Sequence, residues 1–404
     1  MSDMPPVLIV TLPLQVVGGV AEKARLLARV LRDNGRDVSF AEYAAHRLDP
    51  ALNTSIFGRG GGSTPAVRRD EDAEGFHRLF IGCRNPEMEY PYTAMSERWA
   101  GALSGFERVV AVGGSPLIAN PVAAMGKTHF LWCADDLHGD REARYRAMGM
   151  CRRVFDRTLI QPTLLAQQGY VMAAGAAIFG VSRYTVERLR KLRPTQPDTI
   201  DRLAIPVDTD FFHPPSNWQS ARRLGFAGRI GDPRKNPDLL LAAFKHVSDM
   251  VPNAELHISG PSDKKFSDEA ERLGLSQRLN IHGVLSRDDL RGFYQSLDVF
   301  VIPSQREGLG IVGLEAMACG TPVVSTRCGG PEDYVVDDVT GYLVEARAED
   351  LGGKVCTIMN APELRSRMSA QARHKIETEF SIPSFTAALD HIWRDVWDEP
   401  LVMP

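Results

Sequence analysis

Cysteine is scarce in this sequence, with six residues spread over a chain of 404. They form no C-x-x-C pair and no spacing that is typical of a metal site. This pattern argues against a disulfide scaffold and against a structural metal centre, and it favours buried or unpaired thiols in a reducing compartment. The six residues are Cys83, Cys133, Cys151, Cys319, Cys328 and Cys356.

Long apolar runs and a strong charge bias are also missing. No stretch approaches the ~20 apolar residues that a membrane-spanning helix needs, and the net charge is only -4. The opening MSDMPPVLIVTLP lacks the basic region of a signal peptide and reads as a first strand. These absences predict a cytoplasmic protein with no general affinity for nucleic acid.

What is present is an alternation of short β-branched segments with amphipathic segments along nearly the whole chain. The alternation predicts an α/β protein whose parallel sheets are covered on both faces. A chain of this length is expected to form two domains, and the proline-rich IPVDTDFFHPPSNWQSARR is the predicted linker. The predicted boundaries are 1–205 for the first domain, 206–223 for the linker, 224–380 for the second domain and 381–404 for a C-terminal helix.

Two stretches need separate interpretation. Residues 52–80 are rich in glycine and charge, which predicts a mobile surface loop. The last helix, residues 381–397, carries apolar residues on one side and must cover apolar surface, with the first domain as one candidate. Those apolar residues are Phe385, Leu389, Ile392, Trp393 and Val396.

A glycine-rich motif lies in SQREGLGIVGLEAMACG, residues 304–320. Its G-x-G-x-x-G pattern follows a strand-like run and precedes a helix-like run, which is the context of a dinucleotide fingerprint. Two carboxylates complicate that interpretation: Glu307 precedes the glycines, and Glu315 follows about two turns into an otherwise apolar helix. A lone buried carboxylate is costly unless it is hydrogen-bonded. Glu315 therefore either pairs with an arginine or accepts the hydroxyls of a ligand such as ribose.

A basic turn lies in FAGRIGDPRKNPDLLLAAF. Its strand ends at Arg229, Lys235 comes six positions later, and Asn236 with Pro237 suits the start of a helix. Arg229 and Lys235 are predicted to meet at the carboxyl edge of the sheet, where open α/β sheets bind ligands. For either residue alone, a solvated turn is the simpler interpretation.

Taken together, these motifs resemble the retaining glycosyltransferases of family four (glycosyl transferases group 1), which have the GT-B fold. The resemblance rests on the Arg229–Lys235 spacing, on Glu-x7-Glu within REGLGIVGLEAMACGTPVVST and on GGPEDYVVDDVTGYLVE, and it covers nearly all of 203–380. VVGGVAEKARLLARVLRDNGRDV, FGVSRYTVERL and IPVDTDFFHP are compatible with the earlier part of the family. The resemblance implies two Rossmann-like domains that face each other across a cleft, with the acceptor in the first and a nucleotide diphosphate sugar in the second.

The resemblance also implies roles for individual residues. Arg229 and Lys235 would neutralise the leaving diphosphate, Glu307 would hold hydroxyls of the donor sugar, and Glu315 would hold the ribose. The other donor-binding candidates are Gly18, Gly19, Val284 (near the base), Gly308, Leu309, Gly310 and Ile311.

Retention in this family is attributed to front-face attack, in which the leaving phosphate takes the acceptor proton. The resemblance therefore implies no carboxylate nucleophile, no metal and no other cofactor, with a UDP- or GDP-type donor as substrate. Residues 208–210 imitate an Asp-x-Asp metal motif, but they lie in the predicted linker.

One departure from the family concerns a histidine that many members carry after a strand of the first domain. Here FLWCADDLHGD offers Asp135 and Asp136, with His138 next. If Asp135 occupies the position of the family's histidine, it is a catalytic candidate, and a cationic or amino-bearing acceptor becomes conceivable. If the loop is shifted, His138 occupies that position instead. Asp136 and His138 are candidates for the acceptor side, and either aspartate also suits the cap of the next helix.

The resemblance implies an acceptor that is a small molecule, a glycan or a lipid-linked molecule, and 52–95 is the region where we expect its specificity. Residues 141–157 hold six arginines and two acids. A solvated helix face is the simpler interpretation of this segment. The alternative is a patch for an anionic lipid or a phosphorylated acceptor, and hence peripheral membrane contact. No motif indicates an oligomeric state.

Two other functions compete with glycosyl transfer to a hydroxyl or amino group. An NADP-dependent oxidoreductase would use GLGIVG, with Arg327 reading the 2′-phosphate, but it leaves Glu307 and Glu315 unexplained. The second competing function is a non-catalytic protein of the same fold that binds nucleotide sugars. A sugar-nucleotide epimerase with the GT-B fold also shares the architecture.

Overall fold

The computed structural model describes residues 4–16, 18–55, 64–139, 141, 145, 148–196 and 199–402. The chain divides into two compact units, each with its own sheet. The first unit comprises Met1–Leu203 with Thr386–Pro404, and the second comprises Ala204–Phe385.

The described part of the first unit is built on an eight-stranded sheet. Its strands are β1 (Val7–Thr11), β2 (Val38–Tyr43), β3 (Val67–Glu71), β4 (His77–Ile81), β5 (Arg108–Gly113), β6 (His129–Cys133), β7 (Ala177–Gly180) and β8 (Ile200–Arg202). They follow the order β3-β4-β2-β1-β5-β6-β7-β8, and every pair is parallel except β3 with β4. The apolar runs of β1 and β6 are buried along their whole length, as expected where helices cover both faces.

Helices of the first unit connect these strands. They are α1 (Gly19–Asp33), α2 (Glu97–Leu103), α3 (Asn120–Ala124), α4 (Met150–Phe155), α5 (Gln161–Ala173) and α6 (Arg183–Arg190), and a π-helical turn, Asp156–Ile160, joins α4 to α5. The predicted arginine-rich helix over 141–157 is therefore helical from Met150 onward. Its residues 142–144 and 146–147 lie outside the described residues.

The second unit has a six-stranded, fully parallel sheet in its described residues. Its strands are β9 (Arg223–Ala227), β10 (Glu255–Ser259), β11 (Leu279–Ile281), β12 (Val299–Ile302), β13 (Val323–Thr326) and β14 (Gly341–Val344), in the order β11-β10-β9-β12-β13-β14. Its helices are α7 (Pro237–Met250), α8 (Lys264–Arg272), α9 (Arg287–Gln295), α10 (Ile311–Ala318), α11 (Ala348–Met359) and α12 (Pro362–Glu379), followed by α13 (Ile382–Trp397).

The prediction of a mobile loop over 52–80 is wrong for the described residues there, which include β3 and β4. β4 pairs in parallel with β2, and the charged residues of the hairpin have tertiary partners. Arg78 forms a bidentate ion pair with the buried Glu42, at 2.6 and 2.7 Å, and Arg68 lies 4.2 Å over the ring of Phe80. Because charged residues stand where apolar ones are expected, this segment lacks the alternation of apolar and polar residues that predicts a strand. Residues 56–63 lie outside the described residues.

The proline-rich segment before β9 is anchored on the second unit. The buried carboxylate of Asp298 accepts hydrogen bonds from the hydroxyl of Ser220 at 2.6 Å and from the amide of Arg223 at 2.9 Å. Asp208, the first acid of the Asp-x-Asp sequence, accepts the amide of Phe211 and pairs with Arg287 at 2.7 Å. These contacts give Asp208 a structural role.

The C-terminal helix packs on the first unit from Thr386 onward. Leu389, Ile392 and Trp393 are buried, as their spacing on one side of the helix predicts. The carboxylate of Glu399 then receives hydrogen bonds from Arg36 at 3.0 Å and from Arg108 at 3.1 and 2.9 Å, as well as from the indole of Trp393. The segment after α13 is thus attached to the first unit through the carboxylate of Glu399, which binds two arginines of that unit.

Replacing Glu399 by alanine is expected to destabilise the first unit by about 2 kcal/mol, because it leaves donors of the buried guanidinium of Arg36 without their acceptor. Hydrogen bonds from Arg108 lower the pKa of Glu399 from 4.5 to about 2. The stabilisation is therefore present above pH 4.5 and is lost as the pH falls toward 2.

Urea unfolding followed by tryptophan fluorescence measures this effect, since four of the five tryptophans lie in the first unit. Glu107→Ala is the matched control, because Glu107 lies 3.7 Å from the same Arg108 but is exposed. Equal urea midpoints for the two variants at pH 7 would contradict this role of Glu399.

Candidate active site

Two loops meet at the carboxyl edge of the second sheet, between β9 and β12. From β9 the chain winds toward β10 and β11, and from β12 it winds the opposite way toward β13 and β14. Such a reversal of strand order opens a crevice in which α/β sheets bind ligands. The loop after β9 carries Arg229 and Lys235, and the loop after β12 carries Glu307. A main-chain hydrogen bond from Gln305 to Arg234, 2.8 Å long, ties the two loops together.

The central contact of this crevice is an ion pair between Lys235 and Glu307. Nζ of Lys235 lies 2.6 Å from Oε1 of Glu307, and both side chains are largely buried. The same oxygen accepts the hydroxyl of Ser304 at 2.6 Å. An ammonium has three donors, so the ion pair fixes the position of Lys235 and leaves it donors for a ligand.

Arg229 lies on the outer side of the same crevice. Its guanidinium is 3.6 Å from the carboxylate of Asp232, and 68% of its side chain is exposed. The sequence predicts that Arg229 and Lys235 meet at this edge. In the structure the two residues contact different carboxylates: Arg229 lies near Asp232, and Lys235 pairs with Glu307.

The glycine motif shapes the start of α10. Gly310 occupies the N-cap position with a φ of 77°, in the left-handed region that favours glycine. Gly313 faces the buried Tyr334, whose hydroxyl would lie 2.3 Å from any Cβ at that position and donates to the carbonyl of Gly310 at 2.8 Å. The amide of Gly313 donates to the carbonyl of Gly310 at 2.9 Å. The amides of Ile311 and Val312 precede any acceptor within the helix, and the helix N-terminus favours an anion.

The loop that precedes α10 is braced by the loop after β13. The amide of Glu307 donates to Cys328 and that of Gly330 donates to Glu307, at 2.8 and 2.9 Å. Leu309 is buried, and a Cβ on Gly330 would lie 2.3 Å from its Cα. Gly308 belongs to the same loop, so the predicted donor-binding residues from Glu307 to Ile311 are consecutive in one loop that leads into α10.

Glu315 is half-buried within α10, which is otherwise buried from Gly313 onward, whereas Ile311 and Val312 in its first turn are half-buried. The hydroxyl of the buried Tyr294 donates to Oε2 of Glu315 at 2.7 Å. Burial, followed by the charge of Glu315, raises the pKa of Tyr294 well above its ordinary value, so the hydroxyl stays protonated. A tyrosine on α9 thus supports the carboxylate, where the sequence left an arginine or a ribose as alternatives.

Val284 lies in the loop after β11 and is 80% exposed. This loop reaches the same edge of the sheet, because the carbonyl of Gly283 accepts the amide of Gly260 after β10. Gly260 in turn lies against Gly228: both have a φ of 144°, and a Cβ on Gly260 would lie 2.0 Å from the carbonyl oxygen of Gly228. These close approaches bring the loops after β9, β10 and β11 to one edge. The sequence reasoning missed both glycines.

The sheet of the first unit has its own reversal of strand order, between β1 and β5. Gly18 and Gly19 follow β1 and begin α1. Lys23, one turn further on, is buried: its Nζ donates to the carbonyls of Gly113 at 3.2 Å and Trp132 at 2.9 Å, at the ends of β5 and β6. Lys23 therefore connects α1 to the carboxyl edge of the sheet. Lys23 lies four residues before the apolar Leu27, on the same side of α1, and this spacing could have indicated that Lys23 is buried.

Lys23 is expected to make the stability of the first unit rise with pH. Burial lowers its pKa from 10.5 to about 7, so above pH 7 the unfolded chain binds a proton that the folded chain does not. Between pH 7 and pH 9.5 the free energy of unfolding should rise by on the order of 3 kcal/mol from this group. Lys23→Met should remove that rise, whereas Lys191→Met, on an exposed position, should keep it. Tryptophan fluorescence in urea at both pH values measures the difference, and a rise that persists in Lys23→Met rules the mechanism out.

The aspartates after β6 are held by one arginine. Asp136 pairs with Arg188 of α6 at 2.6 and 2.7 Å and accepts the amide of Gly139 at 2.7 Å, in the manner of a helix cap. Asp135 lies 3.4 Å from the same arginine, and its amide donates to the carbonyl of Gly114 after β5. His138 lies in the first turn of the following helix and is exposed. Sequence reasoning missed Arg188, which lies 52 residues beyond Asp136.

A cavity of about 80 Å³ lies at this edge of the first sheet. It is lined by apolar and aromatic side chains that follow β1, β2 and β5, and by Glu89 and the buried Arg141. Arg141 pairs with Asp156 and Glu89, the latter at 3.2 Å. The remaining lining residues are Leu12, Tyr43, Tyr92, Thr93, Gly114, Ser115, Leu117, Ile118, Leu137 and Leu164.

The cysteines are all free thiols, and all except Cys151 are buried. Burial raises the pKa of Cys328, next to Glu307, to about 12, so this thiol stays neutral. Among the described residues, no group of three or more histidines, cysteines, aspartates or glutamates is arranged to hold a metal ion. Within the same residues, no helix has the length and apolar character that crossing a membrane requires.

Comparison with known sequences finds a family match within the second unit. Residues 208–375 match the family described as "Glycosyl transferases group 1". The matched range contains the crevice residues Arg229, Lys235, Glu307 and Glu315. The NADP-dependent oxidoreductase is not favoured, since its glycine motif lies inside this match and has a carboxylate at its mouth.

Among curated proteins, the chain is similar to D-inositol 3-phosphate glycosyltransferases. It is 33% identical over 230 residues to that of Saccharomonospora viridis, covering 52% of this chain and 53% of the other. It is 36% identical over 187 residues to that of a Mycobacterium species (strain KMS), covering 43% and 41%. The chain thus spans about half the length of the curated relatives it matches.

Solved structures resemble the chain over nearly its whole length. Sucrose-phosphate synthase of Thermosynechococcus elongatus matches 97% of this chain and 99% of its own, with a TM-score of 0.72 and 17% identity. Anabaena Alr3699/HepE in complex with UDP matches 96% and 100%, with a TM-score of 0.72 and 14% identity. WaaG, a glycosyltransferase involved in lipopolysaccharide biosynthesis, matches 96% and 99%, with a TM-score of 0.68 and 17% identity. This likeness shows the fold, which is the GT-B fold of two Rossmann-like units.

Proposed function

We propose that this chain, a GT-B protein whose residues 208–375 match the glycosyl transferases group 1, is a retaining, metal-independent glycosyltransferase. It moves a sugar from a nucleotide diphosphate sugar to a hydroxyl or amino group of an acceptor. The observation that carries the proposal is the Lys235–Glu307 ion pair at the N-terminus of α10, where strand order reverses. A cation for the diphosphate and a carboxylate for sugar hydroxyls are thereby held side by side.

The leaving diphosphate is stabilised by positive groups of the second unit. When the bond between the anomeric carbon and the phosphate oxygen breaks, negative charge grows on the diphosphate. Lys235, Arg229 and the first amides of α10 are placed to offset that charge, and preorganised donors act most strongly where charge develops. We assign the role of a metal ion to these groups, which is why the reaction is expected to proceed without one.

Retention follows from attack on the face of the sugar that the diphosphate leaves. The acceptor oxygen or nitrogen bonds to the anomeric carbon as the phosphate oxygen departs, and the acceptor proton moves to that phosphate oxygen. No enzyme nucleophile takes part, so Glu307 has a different task. It accepts hydroxyls of the donor sugar while it holds Lys235 in place.

The nucleoside half of the donor is assigned to Glu315 and Val284. A carboxylate accepts two neighbouring hydroxyls well, and the bond from Tyr294 keeps that of Glu315 oriented. UDP is the first nucleotide to test, because one protein of this fold was solved with it. The named activity of the curated relatives makes a phosphorylated polyol one acceptor to test.

The acceptor side is assigned to the carboxyl edge of the first sheet. Asp135, Asp136 and His138 follow β6 at this edge, where Leu137 between them lines the cavity, and Gly18 and Gly19 begin α1 at the same edge. Asp136 pairs with Arg188 and caps the next helix, and the carboxylate of Asp135 lies near the same arginine and accepts the amide of Asp136, so Asp135, Asp136 and His138 all stay candidates for contact with substrate. His138→Ala and Asp135→Asn, assayed for transfer, will show which of them matters.

Calorimetric titration with UDP, GDP, ADP, dTDP and NADPH, with and without EDTA, tests the donor site. Saturable binding of one nucleoside diphosphate that survives EDTA is expected, and binding of NADPH alone would overturn the proposal. Product analysis by NMR then tests the chemistry. The product should keep the anomeric configuration of the donor, and binding without any turnover would leave the non-catalytic alternative.

A further inference from the structure

Large apolar side chains are exposed along one helical segment of the first unit. The segment runs from α4 through the π-helical turn into α5. Of the fifteen large apolar residues that are exposed in the described chain, six lie between residues 150 and 170. Single exposed apolar residues are ordinary, but a cluster of this kind marks an interaction surface. The six are Met150, Val154, Phe155, Leu159, Leu165 and Tyr170, which we call the 150–170 surface.

The helices of this segment already bury their inner side. Ile160, Leu164 and Val171 pack into the unit and are buried. The outer side of such a helix is normally polar, yet here Met150 is 82% exposed and Val154, one turn later, is 59% exposed. The segment is therefore apolar on both its inner and its outer sides.

The exposed charges that this segment itself carries have one sign. Within residues 148–173, all of which the structure describes, there are three arginines and a single acid, Asp156. Asp156 is buried and pairs with Arg141. Arg153 and Arg157 are exposed beside the apolar side chains. The outer side of the segment thus combines apolar side chains with positive charge and presents no carboxylate.

We propose that the 150–170 surface docks on an anionic lipid bilayer. Apolar side chains that enter the acyl boundary, flanked by arginines at the level of the headgroups, are the combination by which a helix lies in a membrane interface. A second copy of this chain is a poorer occupant, because a symmetric interface would place two basic surfaces against each other. This contact requires no helix that spans the bilayer.

The docking surface lies next to the candidate acceptor side. Leu164 of α5 lines the cavity at the carboxyl edge of the first sheet, and Arg152 of α4 lies 3.4 Å from Glu89, another lining residue. A docked enzyme would hold that cavity close to the headgroups. Resting on the proposed function, this placement makes a membrane-anchored acceptor the expected substrate class, whereas the docking itself is measured without donor or acceptor.

Vesicle co-sedimentation of the full chain tests the docking. Vesicles of phosphatidylglycerol and phosphatidylcholine in equal amounts should retain the protein at about 50 mM salt and release most of it at about 500 mM, since salt screens the arginines. Vesicles of phosphatidylcholine alone should retain far less. Failure to bind the anionic vesicles, or equal binding to both compositions, overturns the proposal.

Two double variants separate the apolar from the charged contribution. Val154→Ser with Leu159→Ser, and Arg153→Gln with Arg157→Gln, should each weaken binding to anionic vesicles roughly tenfold or more. The matched controls are Met250→Ser, an exposed methionine of the second unit, and Arg394→Gln, an exposed arginine of the first. Both controls should bind vesicles as the unmodified protein does.

Two further measurements keep the outcome interpretable. The urea midpoint of tryptophan fluorescence shows that the variants are folded, and nucleotide titration shows that the donor site of the second unit is intact. Size-exclusion chromatography tests the second-copy alternative. If the serine variant dissociates an oligomer while its vesicle binding stays unchanged, the surface is a subunit interface and the docking proposal is wrong.

Discussion

Replacement of Lys235 by alanine is expected to lower the rate of sugar transfer by roughly two to three orders of magnitude. The substitution removes the ammonium that lies 2.6 Å from Glu307 at the mouth of α10, and with it a preorganised charge for the leaving diphosphate. It also leaves the largely buried carboxylate of Glu307 without its cation. The loss should appear mainly in kcat, because the charge on the diphosphate grows as the bond breaks.

Steady-state kinetics with a saturating donor measure this loss. Lys245→Ala is the matched control, since Lys245 pairs with Asp249 on the exposed side of α7 in the same unit. Lys235→Arg should recover part of the rate, because it restores the positive charge with a different geometry. A Lys235→Ala enzyme that keeps more than about a fifth of the rate would show that the leaving group is stabilised elsewhere.

Replacement of Glu315 by alanine is expected to weaken binding of the nucleoside diphosphate by about one hundredfold. Two hydrogen bonds from ribose hydroxyls to a charged acceptor would be lost, each contributing about 1.5 kcal/mol. The hydroxyl of Tyr294, which is buried, would also lose its acceptor. Calorimetry with the nucleotide that binds the unmodified protein measures the effect.

One partial variant and one control show which contact causes this loss of affinity. Tyr294→Phe keeps the carboxylate but removes its support, so it should weaken binding by a smaller factor, roughly threefold to tenfold. Glu332→Ala serves as the control, because Glu332 accepts an amide near the same loops and is more exposed. Unchanged affinity in Glu315→Ala would remove this residue from the ribose site and leave Tyr294 as its structural reason.

The two substitutions probe different stages of one reaction. Lys235 acts on the bond that breaks, whereas Glu315 acts on the half of the donor that does not change. A protein that binds nucleotide sugars without transferring them would lose affinity in Glu315→Ala and show no transfer rate at all. An active transferase would show both effects, and the difference separates the two remaining functions.

Local pattern along the sequence determined most of the architecture. The alternation of short strand-like runs with amphipathic segments predicted parallel sheets with β1 as the first strand, because a strand buried on both faces must be apolar along its length. The order and spacing of Arg229, Lys235, Glu307 and Glu315 indicated a ligand crevice and the GT-B family. These signals are readable because each depends on residues that are close together in the chain.

The tertiary structure alone decided how these residues are paired. Lys235 pairs with Glu307, which lies 72 residues later in the sequence, and Glu315 accepts a hydrogen bond from Tyr294 on another helix. The β3–β4 hairpin escaped prediction because its strand character depends on charges that are neutralised by distant partners, such as Glu42 for Arg78. Spacing along a chain predicts which elements form, but it does not say which elements pack against each other.

The same reason explains the buried Lys23, the ion pairs of Glu399 and the 150–170 surface. A lysine in a helix or a glutamate near a chain end is unremarkable as sequence, and only the neighbouring strands and helices make each one costly to remove. Residues 141–157 are interpreted from the sequence only by their arginines, as a solvated helix face or a patch for an anionic lipid, and the apolar residues of the 150–170 surface are not singled out. Which of them a helix buries and which it exposes is set by the sheet it packs on, and that is a property of the whole fold.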